Sequence, residues 1–190
     1  TFADYLDSFP ATTVNTIMQV GHNTLRLMTV GMDDRAPTPD EMTVMRRLLA
    51  EGLAAGALGM SSGLFTAPAS FAEAGELHAL LGVVREHGGA YATHLRSESA
   101  GVFEAVREAI EASEQTGVHV QIVHMKLSGR ENRGRAGELL ALIDAARARG
   151  VRVDCDAYPY TCAANPLRNL LPLWVQEGGL AAMLGRLRDP

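Results

Sequence analysis

Short apolar runs alternate with amphipathic stretches along almost the whole chain. Runs at residues 16–20, 57–61, 90–94, 118–124 and 151–156 read as strands. The fourth, Val118-His119-Val120-Gln121-Ile122-Val123, is nearly continuous in apolar character. Strands covered on both faces look like this, and such strands belong mostly to parallel sheets. Between the runs, residues 39–55, 71–86, 102–115 and 135–149 read as helices. Thr38-Pro39-Asp40-Glu41 combines a capping hydroxyl, a proline in the first turn and a glutamate three residues on. Ser70-Phe71-Ala72-Glu73 offers the same capping pattern to the next helix. Gly88, Gly117 and Gly150 follow helix ends, where a left-handed residue is wanted.

Gly63, His94, His124 and Asp156, at successive strand ends, are each about 30 residues apart, the length of one βα unit. Only the first interval is longer, with an extra polar loop at residues 29–37. Strand–helix alternation predicts a parallel sheet with right-handed crossovers. A doubly wound sheet and a barrel both satisfy that pattern, and spacing does not choose between them.

Composition then narrows the classes. The chain has 190 residues, 47% hydrophobic and 21% charged, with a net charge of −5. That is ordinary for a globular domain, but a whole (β/α)₈ barrel takes about 250 residues. The basic residues are outnumbered and scattered, so no nucleic-acid surface is expected. No run of about 18 apolar residues offers a membrane span. Two cysteines, Cys155 and Cys162, are too few for a disulfide framework and suggest a reducing compartment, hence a cytoplasmic location.

In parallel βα folds the chemistry gathers at the C-terminal ends of the strands. Polar groups stand there at His22, Ser61-Ser62-Gly63, Thr93-His94-Leu95-Arg96, His124-Met125-Lys126, and Asp154 to Tyr160. His94 and His124 close consecutive strands, so neighbouring parallel strands would set the two imidazoles side by side. Two such rings supply half of a tetrahedral zinc site, with metal–nitrogen bonds of about 2 Å. Either histidine alone reads more naturally as a rim residue; the matched pair favours ligands. His119, at an odd offset from His124, is expected on the opposite side of its strand. His78 and His87 fall on a helix, and His22 reads equally as a loop organiser.

Lys126 shares a face with His124 if the strand continues, and would suit a substrate carboxylate. Arg96 stands in the same relation to His94, with Glu98 nearby as its natural partner. Tyr158 and Tyr160 flank a proline, and a phenol at a strand end can donate to a developing oxyanion or simply pack. Asp154 and Asp156 share a face as possible ligands or supports, with Cys155 turned away. Gly59-Met60-Ser61-Ser62-Gly63 looks like a nucleophile elbow only superficially, with no acid–base partner.

At these residues the sequence resembles the N-acyl-D-amino-acid deacylase (D-aminoacylase) family of the amidohydrolase superfamily. The resemblance runs through 56–64 (GALGMSSGL), 91–98 (YATHLRSE), 121–126 (QIVHMK), 156–160 (DAYPY) and 170–179 (LLPLWVQEGG), in order and spacing. It implies a partial (β/α)₈ barrel of the TIM type. Residues 1–190 would then be an internal piece of one barrel domain, about strands three to seven. By the same resemblance His94 and His124 fall on the metal-binding histidines of strands five and six, and Lys126 on a position that contacts the substrate carboxylate. Tyr158 is similar to the tyrosine near the scissile carbonyl, within one or two positions. Thr66 stands where several members carry a tyrosine.

The family's strand-one His-x-His, strand-two Cys and strand-eight catalytic Asp are absent from this sequence. Its ends, without an initiator Met and stopping at Arg188-Asp189-Pro190, read as cut from a longer protein. The resemblance therefore implies one or two zinc ions, small N-acyl-amino-acid substrates, hydrolysis to a carboxylate and a D-amino acid, and an inactive isolated piece. Two other readings remain at this point. One is a metal-free βα enzyme using a strand-end histidine as acid or base. The other is a non-catalytic βα binding module.

Overall fold

The computed structural model describes residues 1–188; Asp189 and Pro190 lie outside the described residues. Five strands form one sheet in the order β1-β2-β3-β4-β5, every neighbouring pair parallel. They are β1 (Val20–Gly21), β2 (Gly59–Gly63), β3 (Ala90–His94), β4 (His119–Ile122) and β5 (Val153–Cys155). The helices are α1 (Phe2–Asp7), α2 (His22–Thr29), α3 (Pro39–Ala54), α4 (Ala74–Glu86), α5 (Val102–Thr116), α6 (Ala136–Ala148), α7 (Leu173–Gln176) and α8 (Gly179–Arg188). Sequential order with no reversal is what consecutive strands of a barrel require, and it removes the doubly wound alternative, which needs a switch point.

The core lies between the sheet and helices α3 to α6. Met60, Tyr91, Val120, Ile122 and Val153 send fully buried side chains towards Leu49, Leu80, Leu81, Val106, Leu139 and Ile143. Each buried Leu or Ile contributes about 1.5–3 kcal/mol. The opposite face carries Ser61, Ala92, Gln121 and Asp154 in one row of the register, all only partly buried. This polar face leads up to the strand ends that hold the chemistry. Gly59 lets β2 and β3 approach closely, because a Cβ there would meet the Ala90 carbonyl oxygen at 1.7 Å.

The Thr38 box forms as the sequence predicts: Thr38 Oγ1 accepts from the Glu41 amide, and the Glu41 carboxylate accepts from the Thr38 amide. Gly88, Gly117 and Gly150 all take positive φ. The Ser70 box does not form. Residues Ala69–Phe71 make a short 3₁₀ turn, α4 begins at Ala74, and the buried Ser70 hydroxyl has no partner. Two further differences matter for the site. The first strand is only Val20–Gly21, and His22 opens α2, a helix lacking a side-chain cap and therefore silent in the sequence. The fourth strand stops at Ile122, two residues short of His124.

Candidate metal centre

His94 ends β3, where the alternation of the strand sets Tyr91 and Thr93 into the helix layer and Ala90, Ala92 and His94 on the polar face. Its Nδ1 lies 2.9 Å from the Leu95 carbonyl oxygen. A carbonyl only accepts, so Nδ1 carries the proton and Nε2 keeps its lone pair. Phe65 stacks on the ring at 5.4 Å with planes 6° apart. Burial pushes the His94 pKa below the usual imidazole value, outweighing the upward pull of Leu95 and Glu98, while His124 and Lys126 push it down further. The imidazole is therefore neutral near pH 7, the form a metal binds.

His124 reaches the same place by another route. Parity from Ile122 would send it into the helix layer, but its φ is +41°, which turns the side chain to the polar face. A left-handed residue other than glycine costs about 1–2 kcal/mol. The His94 and His124 rings meet edge to face at 4.6 Å between centroids. Glu98 completes a group of three: one ligand atom from each of His94, Glu98 and His124 lies within 4.8 Å of the others. Two imidazoles and a carboxylate form a donor set that suits zinc. The residues present thus fit a metal ion.

Glu98 was not singled out in the sequence as more than a partner for Arg96, and the structure corrects that pairing. Glu98 Oε1 lies 2.5 Å from Lys126 Nζ and 3.1 Å from His124 Nδ1. Arg96 is instead committed elsewhere. Its guanidinium donates to Glu108 and to the carbonyls of Ser70 and Ala72. It does not join the cluster. No periodicity signals this role, because residues 95–98 form an irregular loop beyond the end of β3.

Lys126 does reach the cluster, although β4 does not persist to carry it there. Its ammonium can donate to both Glu98 and His124 Nδ1, at 2.5 and 3.0 Å, and lies 5.1 Å from the centre of the Tyr158 ring. Tyr158 stands 6.2 Å from His124 and from Tyr160, centroid to centroid. His94, Glu98, His124, Lys126, Tyr158 and Tyr160 line one open cavity of about 310 Å³. Thr66 lies apart from that cavity. Its hydroxyl donates to Gly63 and its side chain meets Asn23, on a separate cavity of about 420 Å³ that Arg168 also lines.

The remaining candidates have other tasks. His22 is fully buried against Glu76. His119 was expected on the side opposite His124; because His124 departs from the alternation, both face the polar side, and His119 pairs with Asp154 at 2.8 Å. Asp156 accepts from the His124 amide. Ser62 bonds Tyr91 and Thr93 beneath the sheet and has no base beside it. Cys155 and Cys162 are free thiols.

No protein-family model matches the sequence. Individual relatives do. D-aminoacylase of Alcaligenes xylosoxydans xylosoxydans is 41% identical over 88% of this chain and 35% of its own length. The N-acyl-D-aspartate deacylase of the same organism is 41% identical over 85% of the chain and 33% of its own length. The crystal structure of D-aminoacylase superposes with a TM-score of 0.80 at 40% identity, covering 84% of this chain and 34% of that one. N-acyl-D-glutamate deacylase from Bordetella bronchiseptica, solved with zinc and a phosphonate mimic of the tetrahedral intermediate, gives 0.76 at 38% identity, covering 84% and 33%. The chain thus spans about a third of the length of the relatives it matches.

Proposed function

We propose that this chain, homologous to D-aminoacylase and the N-acyl-D-amino-acid deacylases across about a third of their length, supplies two zinc ligands and the substrate-carboxylate contact of such a deacylase. The observation that carries the reading is the convergence of His94, Glu98 and His124 within 4.8 Å at the ends of adjacent parallel strands. One or two zinc ions held with help from these residues would supply Lewis acidity at the amide carbonyl and a hydroxide nucleophile near neutral pH.

The chain's own residues do the rest. Neutral His94 presents a lone pair rather than a proton to the site, and the His124 ring stands edge to face against it. Lys126 offers a positive charge that would hold the free carboxylate of an N-acyl-D-amino acid. Glu98 keeps that ammonium pointed into the cavity. The Tyr158 phenol would donate to the carbonyl oxygen as negative charge develops on it. Thr66 would bear on substrate selection from the neighbouring cavity, beside the Phe65 ring that stacks on His94. Hydrolysis would then yield a carboxylate and a D-amino acid. Two unpaired thiols agree with a reducing, cytoplasmic setting, and no helix among the described residues is long and apolar enough to cross a membrane.

The test is metal analysis and assay of the complete protein. Zinc should co-purify, chelation should abolish hydrolysis of N-acetyl-D-amino acids, and added zinc should restore it. His94→Ala and His124→Ala should each lose metal while remaining folded. Full activity after chelation would instead favour a histidine acting as acid or base without metal.

A further inference from the structure

We infer that Asp156 is the positioning residue of His124, holding its imidazole on the polar face by capturing its backbone N–H. The inference rests on reading His124 as a metal ligand. Strand β4 alternates regularly through Val120 and Ile122, both fully buried in the helix layer. Continued alternation would bury His124 with them. The left-handed φ of His124 prevents this, and a conformation of that kind persists only when its surroundings hold it.

The turn also takes the His124 amide out of the sheet's ladder. On either side the ladder is intact. Val123 N–H donates to the Thr93 carbonyl at 3.0 Å, and Met125 N–H donates to the Asp156 carbonyl at 2.8 Å. The His124 amide between them finds the Asp156 side chain, with Oδ1 accepting at 2.5 Å. An amide bonded to a carboxylate is stronger than one bonded to a neutral carbonyl. The other oxygen, Oδ2, accepts from Gln121 Nε2 at 2.9 Å, which fixes the carboxylate's rotation. Asp156 N–H donates back to the Ile122 carbonyl at 3.1 Å. One residue therefore ties the end of β4 with both of its backbone groups and both of its carboxylate oxygens. Without Oδ1, His124 can relax towards ordinary strand geometry, which rotates its ring away from His94.

Groups that orient a metal ligand typically change metal affinity by about 10–100-fold when removed. The experiment measures zinc affinity of the metal-depleted complete protein by competition with a chromogenic chelator, and the visible absorption of its cobalt form. Asp156→Ala should weaken zinc binding by about 10–100-fold and alter the cobalt band. Asp156→Asn should recover most of the affinity, because its Oδ1 still accepts from His124 and Gln121 can flip its amide to match. If Asp156→Ala does not fold, Gln121→Leu removes only the brace and should weaken zinc binding towards the lower end of that range, about tenfold. The proposal is overturned if Asp156→Ala (or, where that does not fold, Gln121→Leu) binds zinc as the native protein does. It is equally overturned if Asp156→Asn is as weak as Asp156→Ala. His94→Ala and His124→Ala serve as controls: unchanged zinc affinity in both would instead remove the ligand reading itself.

Discussion

The Lys126 ammonium sits 2.5 Å from the Glu98 carboxylate, the two side chains 23% and 18% exposed. This pair sets where the one flexible cation of the site can go. An anionic substrate has to share Lys126 with Glu98, so the lysine is available but held in place. Lys126→Met should raise KM for an N-acyl-D-amino acid about tenfold or more, as for the loss of a charged hydrogen bond of about 1.5–3 kcal/mol. Bound zinc should stay at the native level. A substrate whose carboxylate is replaced by a neutral amide should be handled alike by native and mutant enzymes. An unchanged KM for the acid would show that the carboxylate is held elsewhere.

Arg96 gives the opposite pattern. Its guanidinium joins β3 to α5 through Glu108 and to the 3₁₀ turn through two carbonyls. Arg96→Met should lower unfolding stability, by about 1–3 kcal/mol, because Glu108 loses its charged partner; partial exposure of the pair keeps the loss towards the lower end. KM should not move. A large KM increase with stability intact would return Arg96 to the substrate site.

The contrast between these two residues shows what the sequence could and could not reveal. Both stand two positions beyond a strand-end histidine, and sequence spacing treats them alike. What separates them is where carboxylates lie in three dimensions. Glu108, on α5, claims Arg96 from the helix layer, and Glu98 claims Lys126 across the strand gap. The parallel sheet and its unit length were legible because the buried strand face and the βα repeat write themselves into every unit. The His94–His124 pair was legible for the same reason. The turn at His124 was not, because a left-handed histidine leaves no mark in composition. The parity argument for His119 therefore failed at its premise, not at His119. Helix α2 was missed because Gly21 caps it without a side chain.

The capping box of α3 carries a measurable pH signature. Glu41 bonds Arg35 through both oxygens, and the Thr38 amide. The Arg35 bond first, then the amide, lower its pKa to about 2. A carboxylate whose folded pKa lies below its unfolded value stabilises the fold above the unfolded value. That contribution fades as pH falls from about 4.3, the ordinary glutamate value, towards about 2. Glu41→Gln should therefore lower Tm at pH 7, with the difference from the native protein closing across that window. A difference that is constant with pH would mean the ionised pair contributes nothing.

The most consequential prediction for the loops around the site concerns Glu76. Its two oxygens meet His22 Nε2 at 2.7 Å and Arg26 Nη1 at 2.5 Å, with all three side chains at most 3% exposed. Arg26 also donates to the Arg35 carbonyl at 2.8 Å, which fastens the long loop before α3. Helix α2, which carries both partners of Glu76, presents Asn23 to the Gly63 amide and Thr66, beside the Phe65 ring that stacks on His94. The triad thus sits behind the second cavity and fixes the segment leading to the stacked ring. Removing Glu76 alone strands a buried guanidinium, and breaking a buried pair in this way costs about 3–5 kcal/mol. Glu76→Ala should therefore lower stability by that amount in urea. Arg26→Met with Glu76→Met should cost far less than the two single changes added together, since an apolar pair leaves no buried charge uncompensated. Additive losses in that double-mutant cycle would show that the residues stabilise α2 and α4 separately, and that the triad does not act as a unit.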